Sequence, residues 1–395
     1  MKPIEIKPNI FFVGAIDWDR RLFDVLVPLP DGTSYNAFLV KGSEKTALID
    51  TVDFHMADVL FEYLKDVDRI DYIIAHHGEQ DHSGTLPKIL EKYPEARVYL
   101  SPKAKGIFMD LLHLPEETFV TVEDKQTLSL GDKTIEFIHA PWVHWPETMF
   151  SYLREDKILF TADCFGSHIA TNKLFVKDEG IVYEAAKRYY AEIMMPFVGV
   201  IKRNMKKIGG YDIDIIAPDH GPLYKRPEFI LDAYREWVYD EPKNEVVIPY
   251  VSMHGSTKVM VDYLTAALTE RGVTVKLFNL SEGVVDIGKL AMALVDAATI
   301  VIGTPTVLTG PHPNAAYGAF LVNALRPKAK FLTVIGSYGW GTKAVDVLKG
   351  LLPNMGKAEF FDPIIVKGLP REEDLKRIEA LAETICQKHK ENGFA

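Results

Sequence analysis

The stretch His77-Gly78-Glu79-Gln80-Asp81-His82 constrains this chain more than any other. It sets four metal-liganding side chains within six residues, directly after the apolar run at residues 71–75. Such a run followed by a polar loop predicts a buried strand with the loop at its carboxyl end. Imidazoles and carboxylates crowded there lose solvent without gaining packing, and a bound cation relieves that cost. The set offers nitrogen and oxygen but no thiolate, which suits zinc, iron or manganese rather than a cysteine-based structural zinc.

Three further ligands stand where other apolar runs stop. His144 follows residues 133–138, Asp163 follows 158–162, and His220 closes the run at 215–219. A lone His or Asp at a strand end is ordinarily a cap or a satisfied polar group. Seven in this order, four His and three carboxylates, are too many for one ion and suit two ions sharing a bridging carboxylate.

The C-terminal half carries a different signature. Residues 245–251 read as a strand, Ser252-Met253-His254-Gly255-Ser256-Thr257 as a turn, and Val259, Met260, Tyr263, Leu264, Ala267 and Leu268 as the apolar stripe of a helix. Hydroxyls and backbone amides at a helix start hold a phosphate without Lys or Arg, and Gly255 permits close approach. Two more loops, Gly303-Thr304-Pro305-Thr306 and Gly336-Ser337-Tyr338-Gly339-Trp340-Gly341, follow the runs at 299–302 and 331–335. In an open α/β sheet, loops at the carboxyl ends of neighbouring strands converge on one ligand.

The ligand order resembles the metallo-β-lactamase motif His-x-His-x-Asp-His with later His, Asp and His, except that Glu79 replaces the second His. With the C-terminal signature, the chain is similar over nearly its whole length to the flavodiiron proteins. The resemblance implies a two-domain α/β protein: a metallo-β-lactamase-like αββα sandwich over residues 1–240, then a flavodoxin-like doubly wound five-stranded parallel sheet over 245–395. It implies two irons, one on His77, Glu79 and His144, the other on Asp81, His82 and His220, with Asp163 bridging. It implies FMN bound by Ser252 to Thr257, by Thr304, Pro305 and Thr306, and by Ser337, Tyr338, Gly339, Trp340 and Gly341. His168 matches a family position beside the ligands, Trp340 is the flavin-loop residue expected to approach the irons, and His76 stands where relatives usually carry Asn.

The activity so implied is reduction of O2 to water, of NO to N2O, or both, by a head-to-tail homodimer or a tetramer. The alternatives are a zinc hydrolase with a fused flavodoxin domain and an electron carrier whose metal domain is only scaffold. No C-x-x-C pair marks a fused rubredoxin, so electrons are expected from a separate donor, rubredoxin or reduced deazaflavin F420.

Composition closes off other classes. A net charge of -10 argues against nucleic acid. No apolar run reaches the roughly 18 residues that span a bilayer, and the first residues lack a secretory pattern. The two cysteines, Cys164 and Cys386, are too far apart in sequence to suggest a disulfide framework, and Cys164 reads as a small packing residue. A cytoplasmic protein is expected, and residues 234–244, charged and aromatic with one Pro, are expected to form a short connection between the two domains. His139, His254 and His312 are expected to be structural or near the flavin.

Overall fold

Alternate residues of the hairpin Phe38–Lys41 and Thr46–Ile49 decide how the N-terminal half layers. In the computed structural model, which describes residues 2–281 and 286–395, Phe38, Val40, Ala47 and Ile49 join Ile135, Phe137, Leu153 and Phe160 of a second sheet in one buried cluster. The Phe38 and Phe160 rings meet with centroids 5.0 Å apart. Leu39, Leu48 and Ile73 are equally buried on the opposite face of their sheet, so both faces are covered, as αββα layering requires.

The first sheet runs Ile4–Lys7, Ile10–Phe12, Phe38–Lys41, Thr46–Ile49, Tyr72–Ile74, Arg97–Leu100, Phe119–Thr121. The second runs Thr127–Ser129, Thr134–His139, Met149–Leu153, Ile158–Phe160, Ile215–Ala217. Tyr72–Ile74 pairs in parallel with both neighbours, and Ile158–Phe160 pairs in parallel with Ile215–Ala217. The loops bearing His77 to His82, Asp163 and His220 therefore all leave the carboxyl ends of parallel strands. His144 lies in the turn joining antiparallel Thr134–His139 and Met149–Leu153, at the carboxyl end of the first of these.

The chain clusters into two units, Met1–Tyr190 with Phe197–Val238, and Ala191–Pro196 with Tyr239–Ala395. Residues 234–244 read from sequence as a short connection, but most of them belong to regular elements. The helix Pro227–Tyr239 runs through because Tyr234, Trp237 and Val238 continue a buried face at helical spacing, and the strand Lys243–Tyr250 starts four residues later.

The second unit's sheet runs Thr274–Asn279, Lys243–Tyr250, Ala297–Val307, Phe331–Tyr338, with Glu359–Phe360 and Ile364–Lys367 both parallel to the last. Numbered by sequence the order is 2-1-3-4-5, the flavodoxin order, all parallel. The fifth strand is broken around Pro363, which has no N–H to give the ladder. Residues 307–311 form a hairpin turn in which Leu308 and Thr309 are left-handed, so Gly310–Pro311 adds an antiparallel pair. Helices Ser256–Glu270 and Glu372–Glu391 cover one face through Met260, Leu264, Leu268, Ile378 and Ile385.

Candidate metal centre and cofactor pocket

Gly78 and the helix Gln80–Ser83 shape the first loop. A Cβ at Gly78 would lie 2.8 Å from Ile107 Cγ2, and the Gly78 amide donates to Glu147 Oε1 at 3.0 Å. The helix turns Asp81 and His82 inward, both buried, while Thr51 N–H donates to the His82 carbonyl at 2.9 Å. On the other sheet, Asn36 holds the His220 loop by donating to the Pro218 and Gly221 carbonyls at 2.7 and 2.8 Å.

All seven side chains named from the sequence meet. In one group, His144 Nε2 is 2.9 Å from both Glu79 Oε2 and Asp163 Oδ2, and His77 Nε2 is 3.5 and 3.3 Å from the same two oxygens. In the other, His82 Nε2 is 2.9 Å from Asp81 Oδ2 and 3.2 Å from Asp163 Oδ1, and His220 Nε2 is 3.2 and 3.4 Å from these atoms. Asp163 thus turns one oxygen to each group.

Many of these contacts are not hydrogen bonds. Both His77 ring nitrogens, both Asp81 oxygens and Asp163 Oδ1 are buried with no hydrogen-bond partner, and the Nε2 atoms of His82 and His220 face each other at 3.1 Å. Lone pairs converging without donors are satisfied by coordination. Three carboxylates offset three of the four positive charges of two divalent ions and four imidazoles add neutral nitrogen donors, so the donor set fits a binuclear non-thiolate centre.

Electrostatics agree. Burial alone would lower His77 and His82, yet the carboxylates of Asp163 and Asp81 respectively lift each well above the imidazole range. His144 is lifted to about 9 against burial by Asp163 and Glu79. Burial pushes Asp163 and Asp81 up, but the facing imidazoles hold both well below the usual carboxylate range. Without a metal, protons on the imidazoles supply the positive charge that the carboxylates demand.

Beside the ligands lies a cavity of about 530 Å³ bordered by Arg20, Asp24, Phe54, Glu79, Asp81 and Trp145. Burial and then the charges of Glu79 and Asp81 push the Asp24 carboxyl upward. His168 does not join either ligand group. It is buried, with Nδ1 2.9 Å from Thr33 Oγ1 and its ring 4.6 Å from that of His220, and burial followed by His220 keeps it neutral.

Sequence reasoning left out Asp50, Ser151 and Asp219. Asp50 accepts from the His76 amide at 2.9 Å and pairs with His76 Nδ1, while His76 Nε2 is 2.9 Å from Ser151 Oγ. The available signal was that Asp50 and Asp219 also end apolar runs.

In the second unit, a cavity of about 190 Å³ is lined from all three predicted loops: Ser252, Met253, His254, Ser256 and Thr257, then Pro305 and Thr306, then Ser337, Tyr338 and Gly339. Gly255 caps the helix Ser256–Glu270 at φ 92°, a conformation open to glycine, and the helix starts at the cavity with Ser256 and Thr257 in its lining. Thr304, Gly255, Trp340 and Gly341 are outside the lining. The Thr304 hydroxyl is spent on the His312 amide and the Pro305 carbonyl, and Trp340 is 78% exposed. Gly368, unforeseen, adds a fourth side from the end of the strand Ile364–Lys367.

Residues 33–221 match the model of a family described as ODP family beta lactamase. The chain is 34% identical to the nitric oxide reductase of Moorella thermoacetica, over 98% of this chain and 99% of that one. It superposes on the solved rubredoxin oxygen:oxidoreductase of Desulfovibrio gigas with a TM-score of 0.94 and 31% identity, covering all of both chains. The chain belongs to the flavodiiron family. This flavodiiron protein is also 32% identical to the oxidase of reduced coenzyme F420 from Methanothermobacter marburgensis, over 89% of this chain and 90% of that one. These relatives are oxidoreductases by name, and so is the class of this flavodiiron protein; the zinc-hydrolase alternative finds no support in them. Among the described residues no helix is long and apolar enough to cross a membrane.

Proposed function

We propose that this protein reduces O2 to water, NO to N2O, or both, with two irons in the N-terminal unit and FMN in the C-terminal one. The observation that carries the reading is Asp163, one carboxylate with Oδ2 facing His77 and His144 and Oδ1 facing His82 and His220. The first pair with Glu79, and the second with Asp81, would each hold one iron. Paired irons and FMN, when bound, would supply the four electrons that take O2 and four protons to two waters, or the two that take two NO and two protons to N2O and water.

The chain's own groups prepare that chemistry. Glu79 in place of an imidazole gives the first set a harder donor, which favours iron over zinc. His168, kept neutral by burial, can hold a proton at its unpartnered Nε2 beside His220. Phe23, 5.3 Å from His168 and 6.2 Å from His220 between centroids, keeps water off that side. In the other unit, the Ser252, Ser256 and Thr257 hydroxyls and the first helix amides would take the FMN phosphate. Pro305, Thr306, Ser337, Tyr338 and Gly339 would flank the ring.

Trp340 and the 530 Å³ mouth support a head-to-tail homodimer, or a tetramer of such pairs, in which one copy's flavin loop meets the partner's metal site. The mouth is far larger than a diatomic needs, and Trp340 is exposed beside the flavin pocket. The donor would be rubredoxin or reduced F420, as the names of relatives suggest, and two buried free cysteines suit a reducing cytoplasm.

The test is anaerobic turnover with iron, zinc and FMN counted per chain, following O2 and NO consumption with each donor in turn. Two irons and one FMN with either gas consumed is the expected result. Zinc with neither gas consumed would overturn it.

A further inference from the structure

Beside His82 Nδ1 lies a fully buried carboxylate that the proposed reaction does not use. Both oxygens of Asp219 lack a hydrogen-bond partner, and its Oδ2 is 3.8 Å from His82 Nδ1, which is itself buried and unpartnered. A buried carboxylate in that condition carries a large desolvation cost unless a donor reaches it.

Two neighbouring side chains that could donate, Asn36 and His76, are committed elsewhere. Asn36 gives its side-chain amide to Pro218 and Gly221. His76 is engaged at Nδ1 by Asp50 and at Nε2 by Ser151, and the Asp50 oxygens are in turn occupied by the amide and Nδ1 of His76. His82 Nδ1, itself unpartnered, faces Asp219, and a movement of about 0.9 Å would bring the two to hydrogen-bond distance. The Asp219 main chain is held by its amide donating to Ala162 O at 2.8 Å and its carbonyl accepting from Asn36 N at 2.7 Å.

A neutral imidazole carries one N–H. If it sits on Nε2, His82 cannot ligate; if it sits on Nδ1, the Nε2 lone pair is free toward Asp81 and Asp163. We infer that Asp219 is the positioning residue that fixes the Nδ1–H tautomer of His82 and keeps its Nε2 turned to the second metal position. His76 supports this by occupying both Asp50 oxygens, while those of Asp219 stay open to His82 Nδ1. The inference rests on the di-iron reading above.

The test is anaerobic ferrous iron titration of the FMN-loaded protein, reading two dissociation constants and the iron count. Asp219→Asn should leave the first constant in place and weaken the second by about 10- to 100-fold. His82→Ala should weaken the same constant, and Asp219→Asn added to His82→Ala should cost nothing more, since Asp219 then has nothing to orient. Asp219→Ser, which removes the charge with less bulk, gives the same reading if the Asn variant folds poorly, with far-UV circular dichroism as the check. Two unchanged constants in the single variants, or losses that add in the double one, would overturn the inference. A wild-type chain that takes up fewer than two irons would instead overturn the di-iron reading.

Discussion

Lowering the pH from 7.5 to 4.5 should destabilise the second unit through one residue, His389. Its ring is fully buried under the end of the helix Glu372–Glu391, stacked on Phe331 with centroids 6.1 Å apart. Asn244 gives its amide to Gly272 O, so its Oδ1 faces the ring at 2.8 Å and accepts from Nδ1–H. The Thr299 hydroxyl then donates to Nε2 at 2.7 Å. Both bonds suit the neutral imidazole, and burial pushes it down to about 4. The folded value is below the ordinary ~6.5, so the unfolded chain binds more protons between those values. The contribution is complete above about pH 6.5, is lost as pH falls through the window, and is flat below about 4. The full gap is worth ~3 kcal/mol, of which ~2 kcal/mol falls between pH 7.5 and 4.5. His389→Gln keeps a donor and an acceptor but does not titrate. Hydrogen exchange read by mass spectrometry on peptides from Ala297–Val307 should show the wild type's advantage over this variant shrinking by ~2 kcal/mol between pH 7.5 and 4.5. Acid effects at the metal centre cancel in that difference. An advantage constant to within ~0.5 kcal/mol would refute the assignment.

Asp163→Asn replaces two anionic oxygens with one neutral acceptor and should lower gas turnover by roughly 10³-fold, with iron lost and FMN retained; two irons per chain by metal analysis would count against its bridging role. Gly336→Ala places a Cβ 2.1 Å from Thr304 O, a backbone atom that cannot move alone, so about 2–3 kcal/mol of stability and most FMN should be lost in a denaturation and flavin-content assay. Trp340→Ala removes an exposed side chain and should change stability by less than about 0.5 kcal/mol, while slowing donor-driven turnover without slowing chemical reduction of the flavin; stopped-flow kinetics separates the two.

What the sequence determined was chemistry tied to strand ends. His77 to His82, Asp163 and His220 could be found because an apolar run that stops at a ligand marks both a buried strand and the loop beyond it. The flavodoxin-like half was legible for the same reason, since its three loops each follow a strand. Where an element's end rests on a local breaker, the reading was close. Where it rests on packing, it was not: residues 234–239 looked like a linker because charged residues intervene, and only burial of Tyr234, Trp237 and Val238 keeps them helical. The tertiary structure alone decided which oxygen of Asp163 faces which histidines, that Asp219 sits behind His82, and that Gly368 closes the second pocket while Thr304 turns away. Those facts depend on register between strands far apart in the chain. Periodicity in one segment carries no information about the partner its end will face.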